Sequence, residues 1–550
     1  MDLSKSKLRV LTVLITPLLL FSFASPVVAA SPIAKPAAVT LHISTVGPNV
    51  QLLDPSFNPN SPVGGVPFCS SGSLGTILCY PQSFLKTAYN FPSTSGFGGL
   101  DGRGSTIVIV DAYGSPTIQS DLNTFDSTFG LPSATITILC GPTWTGSATD
   151  NCPVKTPADF ATAPNADVCG PVGWAEETSL DVTQAHALAP AAKIVLVVAN
   201  DCYDDSLYGA EQAVVSQHKY DGSIMSQSFG EPDDLVTCTA LDPTNSYCVA
   251  NDPSFLNLPN SVFQMATDRH WTVIASSGDD GANEAIRYTG NPELVPAFPS
   301  TSPLVLAAGG TQGNPYGGQY GAPPGPGVTW SCGAFRLCNT GLVFISGGLH
   351  GCGTSVRPGE PSGCFPLLYG GESAWNEFNN FGIATSTGGG ISTLYDRPSY
   401  QSGTPSKVTT LFGETVKVTG RTVPDVSFNS AIHGGVLVYL GFLGAWGVFG
   451  GTSAASPAWA GIVALLNQAN GKPAGFINSA IYSMAANTPS FFGFSLFGPF
   501  HDVTSGENSD TAGQYGVDGF ASTRGYDLTT GWGTPNVSAF IQGIQHYLHS

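Results

Sequence analysis

A chain of 550 residues with 38 acidic and 19 basic side chains, a formal balance of −19, is a poor partner for nucleic acid. Only 10% of its residues are charged, against roughly a quarter in an average soluble protein. With so few Lys and Arg, little self-repulsion builds up when acid neutralises the carboxylates, so the composition suits an acidic setting.

In chain order, Lys5, Lys7 and Arg9 precede an apolar stretch from Val10 to Ala24 that is short for a membrane span, and Val28-Ala29-Ala30 offers small residues for cleavage. Residues 1–30 read as a secretory signal peptide, with an uncleaved anchor as the alternative. The protein is expected to be secreted and extracellular, with no stable membrane span once the signal is removed. Residues 31–79 form an N-terminal arm. Its stretch 31–66, rich in Pro, Ser, Val and Asn without periodicity, reads as extended chain or an edge strand.

From Tyr80 the pattern changes. Apolar runs at Thr106–Val110, Lys193–Val198, Ser223–Gln227, Thr272–Ala275 and Leu304–Ala308 read as buried strands. Helical stretches at Ser115–Phe129, Glu176–Leu188, Tyr208–Gln217 and Pro259–Arg269 lie between them. Such alternation implies an α/β fold, a mostly parallel central sheet with helices on both faces, and a ligand site at the carboxyl ends of the strands. Residues 310–371, Gly- and Pro-rich and carrying four cysteines, interrupt the alternation as a surface insertion.

The twelve cysteines fit an exported protein. They fall into near neighbours, Cys69/Cys79, Cys140/Cys152, Cys238/Cys248, Cys332/Cys338 and Cys352/Cys364, with Cys169 and Cys202 left over, and show no CxxC spacing. Disulfides tying local loops are the better reading, although spacing alone does not fix the pairing. A single glycosylation-type sequon, Asn536-Val537-Ser538, matches the frequency of chance.

The chemistry gathers around GGTSAASPAWAG at 450–461. Small residues let a substrate carbonyl approach the backbone, and Ser453 sits at the start of an apolar helix, where free N–H groups and the dipole favour an oxyanion. A plain Gly-to-helix turn looks similar. A serine hydroxyl needs a base, yet among the nine histidines only His350 and His433 precede a glycine, and neither opens an apolar helix. Carboxylates fit better. Glu177 and Asp181 are four residues apart and share a helix face, so they can share a proton; an ordinary acidic helix start reads the same way. Glu176, five residues from Asp181, turns away. Asp279 follows the strand that ends in Ser276-Ser277-Gly278, at the end where active sites form, or else closes an Asx-turn.

Taken together, the segments STIVIVDAYG, EETSLD, SQSFGEP, SSGDDG, FPSTSPLVLAAGGT, ESAWN with TGGGIS, VPDVSF, GGTSAASPAWAG and FHDVTSG with GYDLTTGWGTPN resemble, in order, the sedolisin family of serine-carboxyl peptidases. The resemblance covers residues 80–550 and implies a subtilisin-like fold with disulfide-tied loops. It makes Ser453 the nucleophile, Glu177 its general base, Asp181 the partner that orients Glu177, and Asp279 the acid of the oxyanion site. It implies an acid-active endopeptidase, acting on proteins or peptides as a monomer, with tripeptidyl-type exopeptidase action or a silent binding protein on the same fold as alternatives. It also implies one structural Ca²⁺ in the region of about 500–535. The ligands would be Asp502 and Asp527 with the carbonyls of Val503, Thr523 and Gly525, although the family favours glycine where Thr523 stands. Sedolisins carry a long folded propeptide, and here only about 50 residues separate the cleavage site from Tyr80. Self-activation therefore does not follow from the resemblance.

Overall fold

Alternation of apolar strands with helices sets the order of elements. The N-terminal segment supplies β1 (Val50–Leu52), β2 (Phe68–Ser71) and β3 (Gly75–Tyr80). There follow β4 (Thr106–Ala112), α1 (Ile118–Phe129), β5 (Thr137–Cys140), α2 (Pro171–Leu188), β6 (Lys193–Ala199), α3 (Asp204–Val215) and β7 (Ile224–Gln227). The short β8 (Glu231–Pro232) precedes α4 (Asn257–Asp268), β9 (Thr272–Ser276), β10 (Ala297–Phe298) and β11 (Leu306–Gln312). The C-terminal part adds β12 (Ser373–Ala374), β13 (Gly390–Asp396), β14 (Val426–Asn429), β15 (Gly435–Leu440), β16 (Ala445–Phe449) and α5 (Ala455–Asn470).

The computed structural model describes residues 50–54, 57, 59, 68–71, 75–94, 99–141, 152, 154–233, 256–285, 293–313, 342–345, 348–351, 365–366, 369, 371–377, 385–487, 498–510 and 516–548. The signal-peptide reading and the pairs Cys238/Cys248, Cys332/Cys338 and Cys352/Cys364 lie outside them. Among the described residues three disulfides are present, Cys69–Cys79, Cys140–Cys152 and Cys169–Cys202. The two residues left unmatched by spacing thus pair with each other. No helix among those residues is long and apolar enough to cross a membrane.

The main sheet has eight strands in the order β12-β11-β9-β7-β4-β6-β5, with β14 also on β11. Every pairing in it is parallel except β12 on β11. Both faces are covered, and β4 shows how. Successive side chains of a strand point to opposite faces, so Ile107 and Ile109 join a core with Leu180 of α2 and Ile462 of α5. Val108 and Val110 join another with Val214 of α3 and Phe263 of α4. A strand buried on both faces reads as an unbroken apolar run, which is why these strands were visible in the sequence.

Helix α2 starts five residues before the expected Glu176. Gly170 sits at a positive φ of 61° and Pro171 occupies the first helical position, where its fixed φ suits a helix start and its missing N–H costs nothing. Glu177 therefore lies in the second turn, away from the dipole end that a first-turn acid would favour. A second sheet, in the order β1-β16-β15-β3-β2, joins the N-terminal segment to the hairpin that leads to Ser453. The edge strand expected within 31–66 is β1. Asn536, the first residue of the sequon, is buried as the N-cap of the helix Val537–Ile544, its side-chain oxygen accepting from Asn90 Nδ2 at 2.8 Å.

Candidate active site

The carboxyl ends of β4, β7 and β9 converge where α2 and α5 cross the sheet, and the residues singled out by pattern meet there. Ser453 lies in a 3₁₀ turn, Thr452–Ala454, that runs into α5. Glu177, Asp181, Asp279 and Ser453 are all fully buried. A link between Ser226 Oγ and Ser456 Oγ at 2.9 Å ties the nucleophile helix to β7.

Burial is the first cause of the state of Glu177. It pushes the carboxyl well above the ordinary carboxylate range, the charges of Asp181, Asp111 and Asp279 push the same way, and the Ser453 hydroxyl opposes them as a hydrogen-bond donor to the charged form. That contact falls outside ordinary hydrogen-bonding geometry: neither oxygen of Glu177 nor Ser453 Oγ has a partner that meets it. Catalytic hydrogen bonds are often loose before substrate arrives. Asp181 is raised by burial and by Asp111. Ser228, the residue after β7, donates to Asp181 Oδ1 at 2.8 Å and lies 3.3 Å from the Ser453 carbonyl oxygen. Glu176 is half-buried, is raised to about 7 by burial alone, and takes no part.

Asp279 sits across the nucleophile turn. Its Oδ1 accepts the Thr452 N–H at 2.7 Å and lies 2.7 Å from the Thr452 hydroxyl. That hydroxyl also lies 3.0 Å from the Gly278 carbonyl and accepts the Gly278 N–H at 3.2 Å. Asp279 Oδ2 faces Gly451, where an added Cβ would come within 2.6 Å of it. Gly451, at φ 96° and ψ 156°, holds a backbone conformation that only glycine adopts readily. The SSGDDG turn is fixed from the other side by Gly388, whose N–H donates to the Gly278 carbonyl at 2.7 Å.

Three participants were not assigned a role from the sequence. Asp111, at the end of β4, is fully buried and raised to about 7 by desolvation, with the Thr178 hydroxyl easing this in part. It acts on both Glu177 and Asp181. Its only signal was a carboxylate closing an apolar run. Ser228 and Thr452 are the others, and small hydroxyls in loops carry no signal at all.

No histidine among the described residues partners Ser453 Oγ. His186 lies 2.9 Å from Asp126, both buried between α1 and α2. His433 is pushed down to about 4 and His501 to about 3 by burial.

The expected calcium loop brings Asp502 and Asp527 to either side of the 523–525 turn. Both oxygens of Asp502 lie 3.1 Å from the Gly525 nitrogen, and Asp527 Oδ2 accepts the Thr523 N–H at 2.8 Å. Asp527 Oδ1 accepts the N–H groups of Thr529 and Thr530 at 3.0 and 2.8 Å. Burial raises Asp502, and raises Asp527 to about 6. The carbonyls of Val503, Thr523 and Gly525 accept no backbone hydrogen bond among the described residues. No cluster of three or more His, Cys, Asp or Glu side chains suited to a metal occurs among those residues, so a cation here would lean on carbonyl oxygens. Two carboxylates and unused carbonyls form an all-oxygen set, which fits Ca²⁺.

A buried serine among carboxyls at one end of a parallel α/β sheet, with no histidine partner among the described residues, points to a hydrolase. Comparison with known proteins agrees. The subtilase family model matches residues 166–495. Kumamolisin of Bacillus sp. (strain MN-32) is 28% identical over 468 residues, covering 84% of this chain and 63% of that protein. Tripeptidyl-peptidase 1 of Rattus norvegicus is 27% identical over 305 residues, 53% of this chain and 40% of that protein. The structure of Pseudomonas sedolisin, a serine-carboxyl proteinase complexed with pseudo-iodotyrostatin, superposes with a TM-score of 0.58 at 24% identity, over 86% of this chain and 99% of that one, and shows the shared fold. The chain belongs to the subtilase family, in its sedolisin branch of serine-type peptidases. It spans less than two thirds of the length of these curated relatives.

Proposed function

We propose that the protein is a secreted serine-carboxyl endopeptidase that hydrolyses peptide bonds in acid. Ser453 Oγ attacks the substrate carbonyl while Glu177 takes its proton, and Glu177 then returns that proton to the leaving amine. Water completes the cycle by hydrolysing the acyl-enzyme. Asp181 shares the Glu177 proton and holds that carboxyl in place. Asp279, protonated, donates to the tetrahedral oxygen, with the Ser453 N–H as second donor. The observation that carries this reading is the convergence of Ser453 with the Glu177–Asp181 pair in a buried site where no histidine among the described residues reaches the hydroxyl. One Ca²⁺, held by Asp502, Asp527 and the carbonyls of Val503, Thr523 and Gly525, would brace the C-terminal loops and take no part in the reaction. The disulfides support an extracellular location.

The test is hydrolysis of an unfolded protein from pH 2 to 8, wild type against Ser453→Ala. Activity confined to acid and abolished by the substitution supports the proposal. An optimum near neutrality, or activity that survives the substitution, overturns it. Similarity to tripeptidyl-peptidase 1 gives a second reading, removal of tripeptides from a free N-terminus. Cleavage of an N-terminally blocked peptide in its interior excludes that reading.

A further inference from the structure

The hairpin that delivers the nucleophile is gripped on both sides by the N-terminal segment. β1 runs antiparallel to β16, with Val50 opposite Phe449, Gln51 opposite Val448 and Leu52 opposite Gly447. Phe449 stands four residues before Ser453. The pairing continues as Leu53 N–H donates to the Trp446 carbonyl at 2.9 Å. On the other side β3 runs parallel to β15, and β2 pairs with β3 under the Cys69–Cys79 disulfide. The two halves share a small core of their own, Leu53, Cys69, Ile77 and Cys79 against Leu437 and Val448. Val50 also fills the space above Gly447, where an added Cβ would meet Val50 Cγ2 at 3.0 Å.

We propose that β1, β2 and β3 form a permanent clamp of the mature peptidase, retained when the residues before them are removed, and that β1 positions the nucleophile turn through β16. The positioning half rests on the role proposed for Ser453; the retention half does not. Stripped of β1, β16 becomes an edge strand with a row of unpaired backbone groups and opens more easily. The turn that follows, Gly450–Gly451, has no side chains with which to hold itself, and a catalytic group must be fixed to within about 0.5 Å. The clamp therefore supplies order just upstream of Ser453. Processing is confined to the chain before Val50, because a cut after Leu53 would detach β1 from the segment that carries the disulfide.

The mature N-terminus, read by mass spectrometry on protein purified from the medium after incubation in acid, tests retention without reference to activity. A first residue at or before Val50 is the expected result; folded protein beginning after Leu53 overturns it. Positioning is tested with Gln51→Pro. Hydrogen-bonded pairs alternate along an antiparallel ladder, so the bond at Leu53 places Gln51 N–H in the ladder as well. The variant should lose at least about tenfold in kcat with KM and the pH optimum unchanged, while Gln51→Ala, which keeps the backbone bond, behaves as wild type. A folded Gln51→Pro with wild-type kcat overturns the positioning role. Hydrogen exchange on the wild type needs no variant: amides of 446–449 should exchange as slowly as those of β4, and fast exchange there overturns the clamp. If Ser453→Ala proves fully active, the catalytic reading fails while the N-terminus and the exchange still decide retention.

Discussion

Replacing Gly451 with alanine separates the geometry of the proposed oxyanion site from its chemistry, because the substitution leaves every reacting group chemically unchanged. The new Cβ would stand 2.6 Å from Asp279 Oδ2, which is 0.8 Å short of the 3.4 Å at which ordinary contact begins. The carboxyl cannot swing away freely, since Thr452 holds its other oxygen through the backbone N–H and the hydroxyl, both at 2.7 Å. Backbone strain at φ 96° adds about 1–3 kcal/mol to the cost in stability. If Asp279 is thereby moved out of line with the tetrahedral oxygen, the loss is that of one oxyanion donor, about 10²–10³ in kcat. KM should change little, because that donor acts on charge developed in the transition state. Steady-state kinetics at the acidic optimum, paired with thermal melting, measure both effects. The decisive comparison is the double variant. Once Asp279→Ala has removed the donor, Gly451→Ala should cost less than about threefold more in kcat, since neighbours acting through one group are not additive. A Gly451→Ala enzyme within threefold of wild-type kcat, or full additivity with Asp279→Ala, refutes the argument.

Glu177→Gln should lower kcat by about 10²–10⁴, the usual contribution of a general base, while the fold survives because Gln is neutral and of the same size; single-turnover kinetics and melting check the two halves. Stability should fall as pH rises from about 4 through 7. Asp111 keeps its proton up to about 7 when folded and gives it up near 4 when unfolded, so the unfolded chain alone gains from ionisation across that window. Asp111→Asn, which cannot ionise, should flatten the decline of melting temperature over the same range, and an unchanged slope would count against the assignment. Removing Ca²⁺ with a chelator should lower the melting temperature by several degrees, and Asp527→Ala should abolish that response; a chelator without effect on the wild type disproves the site.

How legible the molecule was depended on the range of the interactions involved. The parallel strands announced themselves because burial on both faces demands unbroken apolar runs, and Glu177 and Asp181 because four residues on a helix is a local relation. The start of α2 was misplaced for a physical reason: the helix is buried on nearly every side, so no polar face marks where it begins, and Gly170-Pro171 was the only punctuation. Asp111 was hidden because its partners lie on α2, across the packing of a helix on a strand, and nothing near it in the chain points there. β1 was harder still. A three-residue strand whose register is set by residues some 400 positions later, Val50 against Phe449, leaves no trace beyond an extended composition.

The same long-range packing supports the acid activity we propose. The forces on Glu177 and Asp181 are burial, other carboxylates and one hydroxyl each; no cation is among them. A buried carboxylate without a counter-charge is costly, and Asp111, Glu177, Asp181 and Asp279 gather at one end of the sheet. With no Lys or Arg among the described residues to balance them, protons are the counterions of this site. In the proposed mechanism, partial protonation leaves one negative charge shared over the Glu177–Asp181 pair, steadied by the Ser453 and Ser228 hydroxyls. As pH rises the charges accumulate and the base gains no better partner. The range in which the site is comfortable is therefore the range in which the proposed chemistry runs, and a substitution that supplies a fixed positive charge beside Asp111 should widen both together.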